Sequence, residues 1–319
     1  QPPPLQRGTA LFSHQVIVPF MARRRGVELL HFPYIPFNPS HPGPTLWQAT
    51  PTIVTLHDLT PLIYASRVLA NARYRRYYRL VLRACARAKG VLADSAQTAA
   101  DARRFGVIPM AQPIRVVPLA APQRPPLQPP QTPAVAALLG QPFLLHVGGA
   151  DHNKNQQAVL DAYAILRERD EVTLPLVLVG GHHLDTVAAT RRSAQIEARI
   201  VRLRGLPASD LYVLYRHAVA LVFPSHYEGF GLPILEAMGE GCPVITSAGG
   251  ATGEVAGTAA LLVNPNDPTE IADAALRVLR DEATRTQLRT RGLAHAATFT
   301  WERTARETLA AYRTTLERV

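Results

Sequence analysis

Short β-type runs recur along this chain, and stretches long enough for helices separate them. The runs are Leu29–Phe32, Thr52–Leu56, Gly90–Ala93, Ile114–Val117, Phe143–Val147, Leu176–Val179, Ala220–Phe223, Val244–Thr246 and Leu261–Val263. Several are apolar throughout, as in Leu176-Val177-Leu178-Val179. A strand with one wet face alternates apolar and polar residues; a solid run fits a parallel strand covered on both faces. Helix-length segments include Ala158–Glu168, Asp210–His217, Pro233–Gly239 and Pro268–Arg280. Strand–helix alternation of this kind predicts an α/β fold with parallel sheets.

One stretch interrupts the alternation. Pro118 to Pro133 holds seven prolines in sixteen residues and shows no periodicity, the composition of an extended linker. It predicts an N-terminal domain over 1–120, a linker over 121–133 and a C-terminal domain over 134–300. A last helical stretch, 301–319, is expected to pack back toward the first domain. A length of 319 residues suits two domains. Hydrophobic residues make up 47% and charged residues 18%, which excludes a disordered or collagen-like chain. Two cysteines, Cys85 and Cys242, are too few for a disulfide framework or a cysteine-based zinc site, and a reducing compartment is the simplest expectation. No apolar run reaches the ~20 residues of a membrane helix. Gln1–Arg7 has no apolar core for a signal peptide and no initiator Met, so the expectation is a processed, trimmed or partial chain.

The formal net charge is +10, which points to an anionic partner without choosing one. Of 34 basic residues only Lys89 and Lys154 are lysines. Arg73, Arg75, Arg76, Arg79, Arg83, Arg87 and Lys89 form a run with no acid between them, interleaved with Tyr74, Tyr77, Tyr78, Leu80, Val81 and Leu82. It reads either as a helix for an anionic membrane surface or as a solvated face in an arginine-biased protein.

The chemistry concentrates in Val222–Val255. An apolar strand runs into a loop holding Gly229 and Gly231, and a helix begins near Pro233, a residue suited to a first helical turn. Free backbone N–H groups and the helix dipole then face a common point, where glycine lets an anion approach closely. Glu228 lies in the loop and Glu236 in the first turns of the helix. A carboxylate so placed accepts hydrogen bonds from ribose hydroxyls in dinucleotide folds.

The run Tyr227-Glu228-Gly229-Phe230-Gly231-Leu232-Pro233-Ile234-Leu235-Glu236-Ala237-Met238, continuing to Gly241-Cys242-Pro243-Val244-Ile245, resembles the signature of family-4 retaining glycosyltransferases, also called glycosyltransferase group 1. Gly253–Gly257 and Ala259–Pro265 extend the match. The resemblance implies a GT-B fold: two Rossmann-like domains with parallel sheets facing across a cleft, and a sugar nucleotide held mostly by the C-terminal one. It implies that Glu236 holds the ribose, that Glu228 lies near the donor sugar and diphosphate, and that the backbone at Gly229, Phe230, Gly231 and Leu232 touches phosphate and sugar. In His146–Asn155, the strand end, Gly148, Gly149 and Lys154 resemble a second family site. There Lys154, opening the next helix, would neutralise the leaving diphosphate as its charge grows. Where the family usually carries an arginine, this chain has Asn153 and Gly149, and His152 or Arg204 would have to substitute. Arg204-Gly205-Leu206 resembles the segment that meets the nucleotide base. Thr55–Pro61 resembles a segment whose histidine, here His57, faces the donor sugar; His31–Tyr34 and Asp94-Ser95 fit family strand ends. The first family-like segment, Ser13–Arg25 leading to Leu29–Tyr34, resembles the middle of the N-terminal domain, which is therefore expected to be incomplete.

The sequence lacks Asp-x-Asp, and His152, His182 and His183 make no ligand set, so neither a metal nor any other cofactor is expected. The reading is a retaining hexosyltransferase using a UDP- or GDP-sugar and a glycan or polyprenyl-linked acceptor, cytoplasmic or peripheral at the inner membrane face through Arg73–Lys89. The alternatives are an inactive donor-binding module, a GT-B phosphorylase or sucrose synthase-like protein, and a nucleic-acid binder; charge alone supports the last, and no nucleic-acid partner is expected.

Overall fold

The computed structural model describes residues 15–38, 41, 43–126, 128–169, 172–181 and 196–318. The chain divides into two compact units, Gln1–Leu119 with Trp301–Val319, and Ala120–Thr300.

The first unit is built on four parallel strands in sequential order: β1 (Leu30–Phe32), β2 (Thr52–Leu56), β3 (Gly90–Ala93) and β4 (Ile114–Val116). β2 and β3 are buried along their whole length, as strands covered on both faces are; in β2 the buried residues include Thr52 and Thr55. On one face Val54, Leu56 and Val91 pack with Tyr77, Tyr78, Val81 and Cys85 of the Ala72–Cys85 helix and with Ala102 of the Ala96–Arg104 helix. On the other, Ile53, Leu92 and Val117 meet Ala311 of the Trp301–Leu316 helix. Thr304 of that helix donates to the Pro118 carbonyl at 2.7 Å, and Tyr312 meets His31 at 2.7 Å. The chain's last helix thus completes its first core.

The second unit holds six parallel strands: β5 (Leu144–Val147), β6 (Leu176–Val179), β7 (Ile200–Leu203), β8 (Ala220–Phe223), β9 (Val244–Ser247) and β10 (Leu261–Val263). Their spatial order is β10-β9-β8-β5-β6-β7. From β5 the chain moves outward through β6 to β7, then returns to the other side of β5 and moves outward through β8 to β10. Adjacent strands β5 and β8 therefore send their following loops in opposite directions, the switch point where open α/β sheets bind ligands. The Gln156–Glu168 and Pro268–Arg280 helices cover one face through Leu160, Tyr163, Ile271 and Ala275. The Asp210 carboxylate accepts from the Gln131 and Thr132 amides at 3.0 and 2.8 Å, tying the end of the proline-rich stretch to this unit.

Eight strands lie within a residue or so of the nine apolar runs' ends or match them, as does β9 with one residue added. β7 had no counterpart among those runs. Arg202 interrupts it, and as an edge strand it is buried only at its two ends.

Candidate functional site

The site in the second unit begins with backbone geometry. Gly180 ends β6 beside the loop that leaves β5. A Cβ on Gly180 would stand 2.7 Å from both the carbonyl carbon and oxygen of Gly148 and 2.9 Å from the Gly149 nitrogen. Only glycine lets the Gly148-Gly149 turn lie this close to its neighbour strand. After that turn, His152–Lys154 forms one 3₁₀ turn and Asn155 adopts a left-handed φ of 54° before the Gln156–Glu168 helix starts. Lys154 therefore does not open the helix as the sequence suggested; a tight turn presents it instead. Buried Asn155 holds that conformation by donating from Nδ2 to the Pro224 and Pro265 carbonyls, at 2.9 and 2.7 Å.

The loop after β8 is locked to the same turn. The His226 amide donates to the Asn153 carbonyl at 2.8 Å, and Asn153 Nδ2 donates to the Tyr227 carbonyl at 3.2 Å. These links bring Lys154 and Glu228 together across 74 residues of sequence. Lys154 Nζ donates to both carboxylate oxygens of Glu228, at 2.8 and 3.0 Å, and lies 5.5 Å from the centre of the Phe223 ring. The pair stands at the β5/β8 switch point. Gly231 then takes φ +112° and caps the Leu232–Gly239 helix, which starts one residue ahead of Pro233. Phe230 is buried against Phe299, with ring centres 6.0 Å apart.

Glu236 is on the fifth residue of this helix. Its Oε2 accepts from the hydroxyl of fully buried Tyr215 at 2.8 Å. Burial raises the Glu236 carboxyl above its ordinary pKa, and the Tyr215 hydrogen bond opposes that rise. Tyr215 was absent from the sequence-level candidates. So was Asn155; both contacts close over long separations that no local motif displays.

Arg204 and Gly205 follow β7 as exposed residues, with Leu206 partly buried beyond them. The His152 ring packs on that of His226, 5.5 Å between centres. His182 and His183 lie outside the described residues. Among the described residues no group of three or more His, Cys, Asp or Glu side chains forms a metal-binding cluster.

In the first unit, His57 directly follows β2 and Asp94 directly follows the adjacent β3. His57 Nδ1 meets Asp94 Oδ2 at 2.7 Å, with the histidine partly exposed and the aspartate buried. This hydrogen bond raises the His57 pKa. Burial raises Asp94 as well, against the pull of His57. His57 lines a pocket of about 250 Å³ with Tyr34, Phe37, Asp58, Thr60 and Tyr78. The neighbouring His31 is held between the Tyr312 and Thr55 hydroxyls, and burial lowers its pKa.

The exposed arginines of the Ala72–Cys85 helix point away from a buried face of Tyr77, Tyr78, Val81, Ala84 and Cys85. No described helix is long and apolar enough to cross a membrane.

The profile of the glycosyl transferases group 1 matches residues 131–295, and that of glycosyltransferase family 4 matches residues 1–121. The O-antigen chain mannosyltransferase B of Escherichia coli is 38% identical over 178 residues, 55% of this chain and 47% of that protein. The serotype-specific mannosyltransferase WbdA of Escherichia coli is 28% identical over 268 residues, 80% of this chain and 32% of that protein. The chain thus spans less than half the length of these curated relatives. The solved sucrose-phosphate synthase of Thermosynechococcus elongatus superposes with a TM-score of 0.73 at 24% identity, over 100% of this chain and 81% of that one. That similarity shows the fold, GT-B, with its two parallel-sheet units. By its profile match over residues 131–295, the chain belongs to the glycosyl transferases group 1 family.

Proposed function

We propose that this chain is a retaining glycosyltransferase that moves a hexose from a UDP- or GDP-sugar to a hydroxyl of a glycan or polyprenyl-linked acceptor. The observation that carries the reading is the Lys154–Glu228 pair at the β5/β8 switch point, one loop from Glu236. A diphosphate there meets an ammonium, the glycine-lined backbone of 229–231 and the start of an eight-residue helix. Breaking the sugar–phosphate bond builds charge on the leaving diphosphate, and Lys154 stabilises that charge. Glu236 accepts the ribose hydroxyls. Glu228 orients Lys154 and faces the donor sugar. No carboxylate in this reading acts as a covalent nucleophile; the leaving phosphate assists deprotonation of the acceptor. The reaction needs no metal, since Lys154 and backbone N–H groups supply the positive potential.

His57 faces the donor sugar, and the pocket it lines takes the acceptor. Tyr34 and Phe37 offer ring faces to a sugar, and Asp58 and His57 offer polar edges. The names of the relatives favour mannose among hexoses. The basic Ala72–Cys85 face suits a cytoplasmic enzyme that visits anionic membrane to meet a lipid-linked acceptor.

The test is transfer from GDP-mannose, UDP-glucose and a rhamnose nucleotide to short mannan and polyprenyl-diphosphate acceptors, without metal and with EDTA. The reading expects one donor to give an α-linked product that Lys154→Ala abolishes. Nucleotide binding without transfer to any acceptor would favour the inactive donor-binding module, and product formation that requires inorganic phosphate would favour a phosphorylase.

A further inference from the structure

We infer that Tyr215 is the positioning residue that sets Glu236 for ribose, so that this tyrosine governs how strongly the site prefers a nucleotide with ribose hydroxyls. The inference rests on the donor-site reading above and deepens it. Tyr215 lies on the Ala208–His217 helix, the element that leads into β8, and is fully buried. Its hydroxyl is a single donor at the end of a rigid ring, and it is spent on Glu236 Oε2 at 2.8 Å. Among the described residues no other hydrogen bond to that carboxylate is present, so Oε1 is left for a ligand.

The geometry does two things. A glutamate has three rotatable bonds, and one fixed oxygen removes most of that freedom before a ligand arrives. The bond also favours the ionised carboxylate, the better acceptor for hydroxyls, where burial alone opposes ionisation. The groups facing this pair are few. The Tyr212 ring meets that of Tyr215 edge-on at 6.1 Å, and Tyr212 donates to the Pro122 carbonyl. The Cys242 thiol is buried nearby. Glu240, next along the same helix face, is held by Arg216 at 2.6 Å and Arg124 at 2.8 Å. That carboxylate already has two guanidinium partners, whereas Glu236 has a neutral hydroxyl. Glu236 is thus the acid in this cluster that remains open to a neutral polyol.

The experiment measures dissociation constants of UDP, GDP and ADP, and of their 2′,3′-dideoxy counterparts, for the wild type, Tyr215→Phe, Glu236→Gln and the double variant. Circular dichroism and melting curves confirm that each variant is folded. The inference expects the wild type to prefer the ribo form of its nucleotide. In Tyr215→Phe, that preference shrinks about tenfold, the worth of one hydrogen bond to a charged group, while the dideoxy form binds as before. The acid limb of ribonucleotide affinity also moves to higher pH in Tyr215→Phe, since the bond that opposes the raised Glu236 pKa is gone. With Glu236→Gln present, the added tyrosine change has little further effect on the preference. Unchanged preference and acid limb in a folded Tyr215→Phe would overturn the inference and make the tyrosine a packing residue. Additive losses in the double variant would also overturn it. Failure of the wild type to bind any nucleotide is a different result, which removes the donor reading itself and the inference with it.

Discussion

Lys154 and Glu228 are joined in a bidentate ion pair, so a diphosphate entering the site competes with a carboxylate for the same ammonium. The two single substitutions should therefore pull in opposite directions. Lys154→Ala removes the cation and leaves Glu228 facing the phosphates. Nucleoside diphosphate affinity should fall about 10- to 100-fold, the range of a lost charge-assisted bond. Glu228→Gln frees the lysine and removes a negative charge, so free diphosphate should bind several-fold tighter, roughly 1 kcal/mol, while sugar transfer falls. Calorimetric titration of both variants with UDP and GDP checks the pair; equal losses in both would remove the competition. A second residue-scale prediction concerns His57. Its pKa is raised by Asp94, so this bond contributes stability that is complete below the unfolded histidine pKa of 6.5 and is lost as pH rises through the higher folded value. Asp94→Asn should flatten that limb of the melting-temperature profile above pH 6.5 and bring the His57 titration back toward 6.5, as read by NMR of its ring protons. His31 works on the other side, because burial lowers its pKa and protonation below 6.5 favours the unfolded chain. A limb above pH 6.5 that survives in Asp94→Asn would contradict the assignment.

At the scale of elements, what the sequence displayed was what burial writes into local composition. Strands such as Leu176–Val179 are buried at every residue, so their hydrophobic runs are unbroken. β7 has its second and third residues only partly buried, one of them an arginine paired with Glu197, but β4 carries Arg115 at its centre and is still legible, so an arginine alone does not hide a strand. The loop after β8 was legible as a strand–glycine–helix junction. The turn after β5 was not, because a 3₁₀ turn and a left-handed asparagine have no pattern distinct from a helix start. Two pairings stayed hidden for a further reason: Asp94 reaches His57 over 37 residues through adjacent strands, and Tyr215 reaches Glu236 over 21 residues between two helices, separations that no local window contains. The β5 turn yields two predictions. Gly180→Ala drives a Cβ into backbone 2.7 Å away, with no flexible side chain to yield, and should cost about 1–3 kcal/mol. Asn155→Gly keeps the left-handed conformation but strips two carbonyls of their donor in a buried place, again about 1–3 kcal/mol. Chemical denaturation of the second unit's tyrosine signal measures both, and loss below 0.5 kcal/mol in either would show that the turn is held by something else.

Across the whole molecule, chain order and core order differ. The chain leaves its first unit at Leu119 and returns to it at Trp301. Ile53, Leu92 and Val117 are therefore covered by a helix that follows the whole second unit in sequence. Deleting residues 301–318 should uncover that face and melt the first unit while the second keeps a transition of its own, visible as two separated calorimetric peaks. One unchanged peak would contradict this account of the core. The +10 charge acts at the same scale: if the proposed membrane contact is made by the Ala72–Cys85 face, the chain should bind anionic vesicles with an affinity that weakens steeply with salt and is lost on reversing Arg76, Arg79 and Arg83; no binding at low salt would remove that contact.

The β5/β8 switch point of the second unit is proposed to hold a nucleoside diphosphate. The most direct test is the melting temperature of this chain with UDP, GDP or ADP, without metal, beside Lys154→Ala. One nucleotide at 100 times its dissociation constant should stabilise the wild type by about 2.7 kcal/mol and leave the variant nearly unmoved. A folded wild type that none of the three stabilises, or a variant stabilised as much as the wild type, would contradict it.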